Sequence, residues 1–341
     1  VEQPLRQPSI PQPRGSPPVN IHPLALVDSR AEIGRNVTIG PFCVIEAEVV
    51  IEQDCQLNSH VVVKNGTHLG PANQVAEGAV LGGLPQHTRI PQHPGRLQVG
   101  CGNTIREYCT LHRALHEGAA TVVGDRNLLM AGTHVAHDCR VGSHVIIANN
   151  TLLAGHVLVE DRAFISGAVA VHQFCRIGSL AMIGGHARVV QDVPPFMTVD
   201  GITGCIVGLN LVGLRRNGYN SSDIADLKQA YRVIYRSGLP WREVLARLKA
   251  AFPAGAAAQY WPFLTQGTRG FVQERRMPPN ATLKLRREGH DEEDALIHTA
   301  EEVGPGVVTG GVTTAAAFFM AAMTEFIGVR ELGLVAGGGI L

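Results

Sequence analysis

Residues Val123 to Val189 read VGDRNLLMAGTHVAHDCRVGSHVIIANNTLLAGHVLVEDRAFISGAVAVHQFCRIGSLAMIGGHARV. Counted in sixes from Val123, the residues are Leu129, Val135, Val141, Ile147, Leu153, Val159, Ile165, Val171, Ile177, Ile183 and Val189, all aliphatic. If aliphatics fill roughly a quarter of positions, twelve in a row arises by chance on the order of 10⁻⁷. The period is therefore a structural signal.

Six residues match neither the helical nor the simple strand period. They match a parallel β-helix of hexapeptide repeats, in which each hexad is one short strand plus a turn. Three hexads make an 18-residue coil of triangular section, and the sixth-position aliphatics stack inside it. The same phase runs from Ile21 through Val27, Ile33, Ile39, Ile45, Ile51, Leu57, Val63, Leu69 and Val75 to Leu81. It breaks at His87 and His93, resumes at Val99, Ile105 and Leu111, and breaks again at Glu117. Roughly nine coils follow from this count. The breaks predict loops leaving the prism at 83–95 and 112–120, and loops on a rigid scaffold commonly carry function.

Two residues before each aliphatic the side chain is usually small, and Cys43, Cys55, Cys109, Cys139 and Cys175 occupy such positions. Spread along the whole stack, they read as packing residues rather than a metal or redox set. Seven cysteines among 341 residues, with no secretory signal, argue against a disulfide framework and for a reducing, cytoplasmic setting. Lys and Arg number 29, as do Asp and Glu, so the chain is neutral and is not a nucleic-acid binder working by bulk charge.

Outside the repeat, 1–19 is a Pro-rich leader expected to be disordered. The prism is expected over 20–196, ended by Pro194 and Pro195. A helical domain is expected over 197–275. Ser221 or Ser222 reads as a helix cap, with Ile224, Leu227, Tyr231 and Ile234 following at helical spacing. Pro240 opens a second helix with Val244, Leu245, Leu248 and Phe252 on one face. The remainder, 276–341, is an atypical tail. Its uncharged stretch 303–324 is 22 residues long, enough for a membrane span, the alternative being a Gly/Ala-rich helix packed on the protein. Membrane contact is expected only through the tail, whose part 302–341 resembles a transmembrane piece of the resistance-nodulation-division permeases.

Histidines gather in the middle coils: His112, His134, His137, His144, His156 and His172. Neutral histidine is the usual general base near pH 7. Positions 18 apart lie on adjacent coils, so His137, Gly155 and Gln173 form one column. A glycine beside a histidine leaves room for a ligand, and its N–H can face a developing oxyanion. Asp138 follows His137 directly and is placed to orient it. Histidines that merely decorate turns, or a zinc site using His134 and His137 with a third histidine from another subunit, are the competing readings.

The blocks Ile39-Gly40-Pro41-Phe42, His134-Val135-Ala136-His137-Asp138-Cys139, Leu153-Ala154-Gly155-His156, Val171-His172-Gln173-Phe174-Cys175 and Tyr235-Arg236-Ser237-Gly238 resemble, in order and spacing, a known family. It is the acyl-carrier-protein-dependent UDP-N-acetylglucosamine O-acyltransferases of lipid A biosynthesis, and the likeness spans about 20–273. The resemblance implies a left-handed parallel β-helix followed by an α-helical C-terminal domain, assembled as a homotrimer with active sites between prisms. It implies an acyl carrier protein as donor, UDP-N-acetylglucosamine as acceptor, and neither cofactor nor metal. On the matching positions, His137 is the general base and the Gly155 N–H the oxyanion donor. His112 and His156 line the acyl and sugar groove. His134, His172, Gln173, Asn210 and Arg216 lie near the substrate or its nucleotide, and Gly185 sets acyl length.

The sequence departs from the family in the sugar loop, where Pro85-Gln86-His87-Thr88-Arg89 replaces Asn-Gln-Asp-Leu-Lys. Gln86 is kept, Arg89 keeps a positive charge, and His87 replaces an acid. Val212 and Asn217 replace a Glu and an Arg in the nucleotide region. Two alternatives stand beside the O-acyltransferase: a hexapeptide acyltransferase acting on an amino sugar, and a non-catalytic prism used as a scaffold.

Overall fold

The structure, a computed structural model, describes residues 19–275. Strands of two to four residues wind into three sheets of 11, 9 and 8 strands. Within most of the stack each strand pairs in parallel with the one 18 residues away, as His134 with Leu152 and Leu152 with Ala170. This is a left-handed parallel β-helix. The sixth-position aliphatics from Ile39 to Val189 are buried, whereas Ile21, in the first strand of the described residues, is 41% exposed.

Both phase breaks are loops that leave and re-enter in register. Val80 pairs with Thr110 across 30 residues instead of 18, so the first loop adds two hexads. Thr110 pairs with His134 across 24, so the second adds one. A whole number of hexads keeps each inward residue inward. Asparagines bridge these joins: Asn103 Nδ2 donates to Asn73 Oδ1 at 2.9 Å, and the Asn127 N–H donates to Asn103 Oδ1 at 2.8 Å. The five cysteines of the repeat are buried and unpaired, and burial pushes the Cys139 thiol up to about 12, consistent with packing.

The corners explain the period. Non-glycine residues spaced by multiples of six from Asn36 to His186 have φ between 54° and 65°. This left-handed conformation costs an L-residue about 1–2 kcal/mol. It is held because the corner's own N–H then donates to the coil before it, as Asp54 to the Arg35 carbonyl at 3.1 Å, and the N–H two residues on joins the ladder to the next coil, as Gln56 to the Asn73 carbonyl at 2.9 Å.

Pro194 and Pro195 do not end the ladder. Met197–Val199 extends the first sheet in parallel, and Ile206–Leu209 folds back on it antiparallel. Residues 197–209, expected among the helices, therefore cap the prism. The helices are α1 (Leu211–Arg216), α2 (Ser221–Arg236), α3 (Trp241–Ala251) and α4 (Tyr260–Gln266). The cap of α2 is Asn220, not a serine: its side chain accepts from the Ser222 and Asp223 N–H groups, and Asp223 reaches back in a capping box. Ile224, Leu227, Tyr231 and Ile234 are buried as their spacing predicts. Arg176 ties prism to helices, donating to the buried Asp192 carboxylate at 2.8 Å and to the Phe263 carbonyl at 2.6 Å. No helix among the described residues is long and apolar enough to cross a membrane, and the leader and the stretch 303–324 lie outside those residues.

Candidate active site

The second sheet carries His134–Val135, Leu152–Leu153 and Ala170–Val171 on successive coils. Inward Val135, Leu153 and Val171 are buried, so period-two alternation turns His134, Leu152 and Ala170 outward. They floor a groove of about 800 Å³ that ends at the corner bearing His137, Gly155 and Gln173. The first loop closes one side with Gln86 and His87. A second groove, of about 580 Å³, lies near the other end of the prism around Leu26, Arg30 and Glu46. It has no histidine, and its carboxylates Asp28 and Glu46 are paired with Arg30 and Lys64.

At the corner, His137 Nδ1–H donates to Asp138 Oδ2 at 2.8 Å. Asp138 sits at φ 60°, so the left-handed corner itself turns the carboxylate back toward the preceding ring. The second loop fixes the same oxygen, through the Leu115 N–H at 3.1 Å, and Thr121 Oγ1 accepts from the Asp138 N–H at 2.8 Å. His137 is 8% exposed. With Nδ1 occupied, Nε2 is its remaining basic atom. A Cβ at position 155 would lie 2.6 Å from His137 Cε1 and 2.8 Å from Nε2. Only glycine admits the ring in this pose, and among the described residues no acceptor is bonded to the Gly155 N–H.

The other histidines pack around this pair. The His156 ring stands edge-on to His137 at 5.2 Å and stacks on Phe174 at 4.6 Å. His112 lies 5.0 Å from His134 and donates from Nδ1 to the Leu84 carbonyl at 2.7 Å. His134 Nδ1 is hydrogen-bonded to Thr110 Oγ1 at 2.8 Å. Burial pulls His134 down to about 4, with His112 adding to it, and lowers His112 as well. His156 is also lowered by burial, against the pull of Asp138. These rings stay neutral, as groove walls, at physiological pH.

Of the residues singled out in the sequence, Gln86, His134, His137, Gly155 and Gln173 line the groove, with Asp138, His112 and His156 packed against its members. Gly185 lies on the corner leading into Arg188–Val189, one rung beyond the groove's last strand. His172 is exposed directly before Gln173 at the same corner, in the column of Ala136 and Ala154, and its Nδ1 meets the Gln173 carbonyl at 3.2 Å. Arg89 is exposed on the first loop, with its N–H donating to His87 Nδ1 at 3.1 Å. Asn210 lies outside the groove: it caps α1 through the Gly213 N–H and donates to the Leu180 carbonyl, which uses both ends of its side chain. Arg216 closes the last turn of α1, also outside the groove. Among the described residues, His134 and His137 do not converge in one group of three ligands. His137, Asp138 and His156 do, with ligand atoms within 4.8 Å of one another.

Thr110, Leu152 and the Leu115 N–H join the site without having been singled out. Leu152 was legible as the outward neighbour of Leu153. His87, whose ring stands edge-on to His137 at 5.8 Å, breaks the hexad phase, so no stacking rule could place it.

A prism of hexads with a histidine-lined groove on one face is the architecture of the hexapeptide transferases, and a model of six bacterial transferase hexapeptide repeats matches residues 120–155. The model of UDP-N-acetylglucosamine O-acyltransferase domain 2 matches 192–272. The acyl-[acyl-carrier-protein]–UDP-N-acetylglucosamine O-acyltransferase of Verminephrobacter eiseniae is 45% identical over 260 residues, covering 74% of this chain and 99% of that one. Its counterpart in Halorhodospira halophila is 47% identical over 220 residues, covering 64% and 85%. Among solved structures, the UDP-N-acetylglucosamine acyltransferase of Bacteroides fragilis superposes with a TM-score of 0.72 at 36% identity, covering 74% and 99%. The Arabidopsis enzyme does so at 0.68 and 38%, covering 74% and 100%. The chain belongs to the acyl-[acyl-carrier-protein]–UDP-N-acetylglucosamine O-acyltransferase family.

Proposed function

We propose that the protein transfers a 3-hydroxyacyl chain from acyl carrier protein to the 3-hydroxyl of UDP-N-acetylglucosamine, the first step of lipid A synthesis. The observation that carries this is the His137 ring, held by Asp138 through Nδ1 and leaving Nε2 basic beside Gly155. Nε2 takes the proton of the sugar hydroxyl as its oxygen attacks the thioester carbon. The carbonyl oxygen becomes an anion facing the Gly155 N–H. Collapse of the tetrahedral intermediate expels the carrier's thiolate, and the imidazolium returns the proton to the sulfur. Asp138 steadies the imidazolium while it exists. His134, Leu152 and Ala170 give the acyl chain a neutral floor. A groove lying on an outer face is completed by a neighbouring prism in a homotrimer. An acyl carrier protein as donor places the reaction in the cytoplasm.

The test is transfer from 3-hydroxyacyl carrier protein to UDP-N-acetylglucosamine by wild type and by His137→Ala, with circular dichroism to confirm the fold. Removing the base should lower kcat by about 10²–10⁴-fold. Transfer only to a 3-amino sugar would reassign the acceptor. Equal rates in the two proteins would remove His137 from the chemistry.

A further inference from the structure

The groove wall holds more than a base. His137, Asp138 and His156 each offer a ligand atom, and these lie within 4.8 Å of one another. His137 Nδ1 is 2.8 Å from Asp138 Oδ2, and His156 Nε2 is 3.8 Å from the same oxygen. Zinc bound tetrahedrally at about 2.0–2.1 Å holds its ligand atoms about 3.4 Å apart. The two observed gaps bracket that spacing, so small side-chain rotations suffice to seat an ion. Two imidazoles and one carboxylate, with solvent able to reach the site beside the partly exposed His156, form a ligand set zinc takes readily. The supporting shell is present: Phe174 stacks on His156, and the Leu115 N–H bonds the Asp138 carboxylate.

We infer that His137, Asp138 and His156 form a binding site for Zn²⁺, and that occupancy inhibits the protein by changing which nitrogen of His137 carries the proton. Neutral His137 has one ring proton, now on Nδ1 and donated to Asp138. A metal at Nδ1 needs that lone pair, so the proton moves to Nε2. The atom assigned as base then bears hydrogen and has no pair with which to accept another. Nothing is gained or lost overall; the proton changes place and the metal takes its partner. The inhibitory half rests on the proposed role of His137, whereas the binding half does not.

Zinc chloride titrated calorimetrically into the full-length protein reads the binding half, with the visible absorption of bound Co²⁺ as a second probe. The expected result is one tight site per chain with a four-coordinate cobalt spectrum. His156→Gln and Asp138→Asn should each weaken the site at least about tenfold. Gln keeps the bulk against Phe174, and thermal melts confirm that each variant is folded. Wild-type affinity in both variants, or no saturable site in wild type, overturns the proposal. In the transfer assay, Zn²⁺ should inhibit wild type reversibly, with recovery on EDTA, and should spare whatever activity His156→Gln retains. Undiminished transfer with the site filled overturns the inhibitory half. A metal-binding protein that transfers no acyl chain overturns the function proposed above and leaves the site standing.

Discussion

The space beside Gly155 is filled by the ring of His137, 2.6 Å from where a Cβ would stand. The two residues sit 18 apart, one coil above the other, and the missing side chain of one sets the orientation of the other. Gly155→Ala adds one methyl group and pushes the imidazole away from the oxyanion position. A misplacement of about 1 Å costs on the order of 10²-fold. We expect kcat to fall by that order with KM for the carrier little changed. Wild-type kcat in a folded Gly155→Ala protein would mean that the pairing has no catalytic weight.

Acid should loosen the fold through the groove histidines. His134 takes a proton near 4 when folded and near its ordinary 6.5 when unfolded. Between those values the unfolded chain binds more protons, so stability rises with pH across the window and drains away as pH falls through it. Above pH 6.5 this group contributes no slope. Burial lowers His112 in the same direction. Melts from pH 4 to 7 should show His134→Gln losing less stability than wild type on acidification. Parallel curves would assign the acid sensitivity elsewhere.

Ala168 holds a left-handed corner, at φ 56°, with its side chain exposed. Glycine removes the steric penalty of about 1–2 kcal/mol but releases up to about 1 kcal/mol of unfolded-state entropy. Ala168→Gly should therefore raise stability by up to about 1 kcal/mol, and Ala168→Val should lower it. Chemical denaturation measures both, and a loss of stability on Ala168→Gly would show that the corner carries no strain.

Leu152 and Leu153 are adjacent in sequence and opposite in fate, one 49% exposed and the other fully buried. Leu153→Ala should cost about 2–5 kcal/mol by opening a cavity in the stack. Leu152→Ala should cost about 1 kcal/mol or less. Equal costs would contradict the inward and outward assignment.

The prism and its histidine corner were legible because both obey the period: Leu153 follows Val135 by 18, and Gly155 follows His137 by the same step. What stayed hidden was not periodic. His87 reaches His137 through the conformation of a loop, which no stacking rule supplies. Many left-handed corners bear His, Phe, Arg or Leu, and only some, such as Asn36, Gly66, Gly78 and Asn150, carry the Gly or Asn that normally signals such a turn. Pro194 and Pro195 read as terminators because a proline breaks a ladder, yet the strand resumes directly after them at Met197. Asn220, Ser221 and Ser222 are all good caps by residue type, and only the reach of Asp223 decides between them.

Because each strand of the prism pairs only with the strands one coil above and below, and the loop bearing His87 leaves within two coils of His137, the candidate chemistry is confined to a few consecutive storeys of a tall tower. Inserting or removing a complete storey well below His137 should alter the tower's height and leave its reactive corner as it was. Reach and reactivity are thus separable properties in this protein, each free to be engineered without the other.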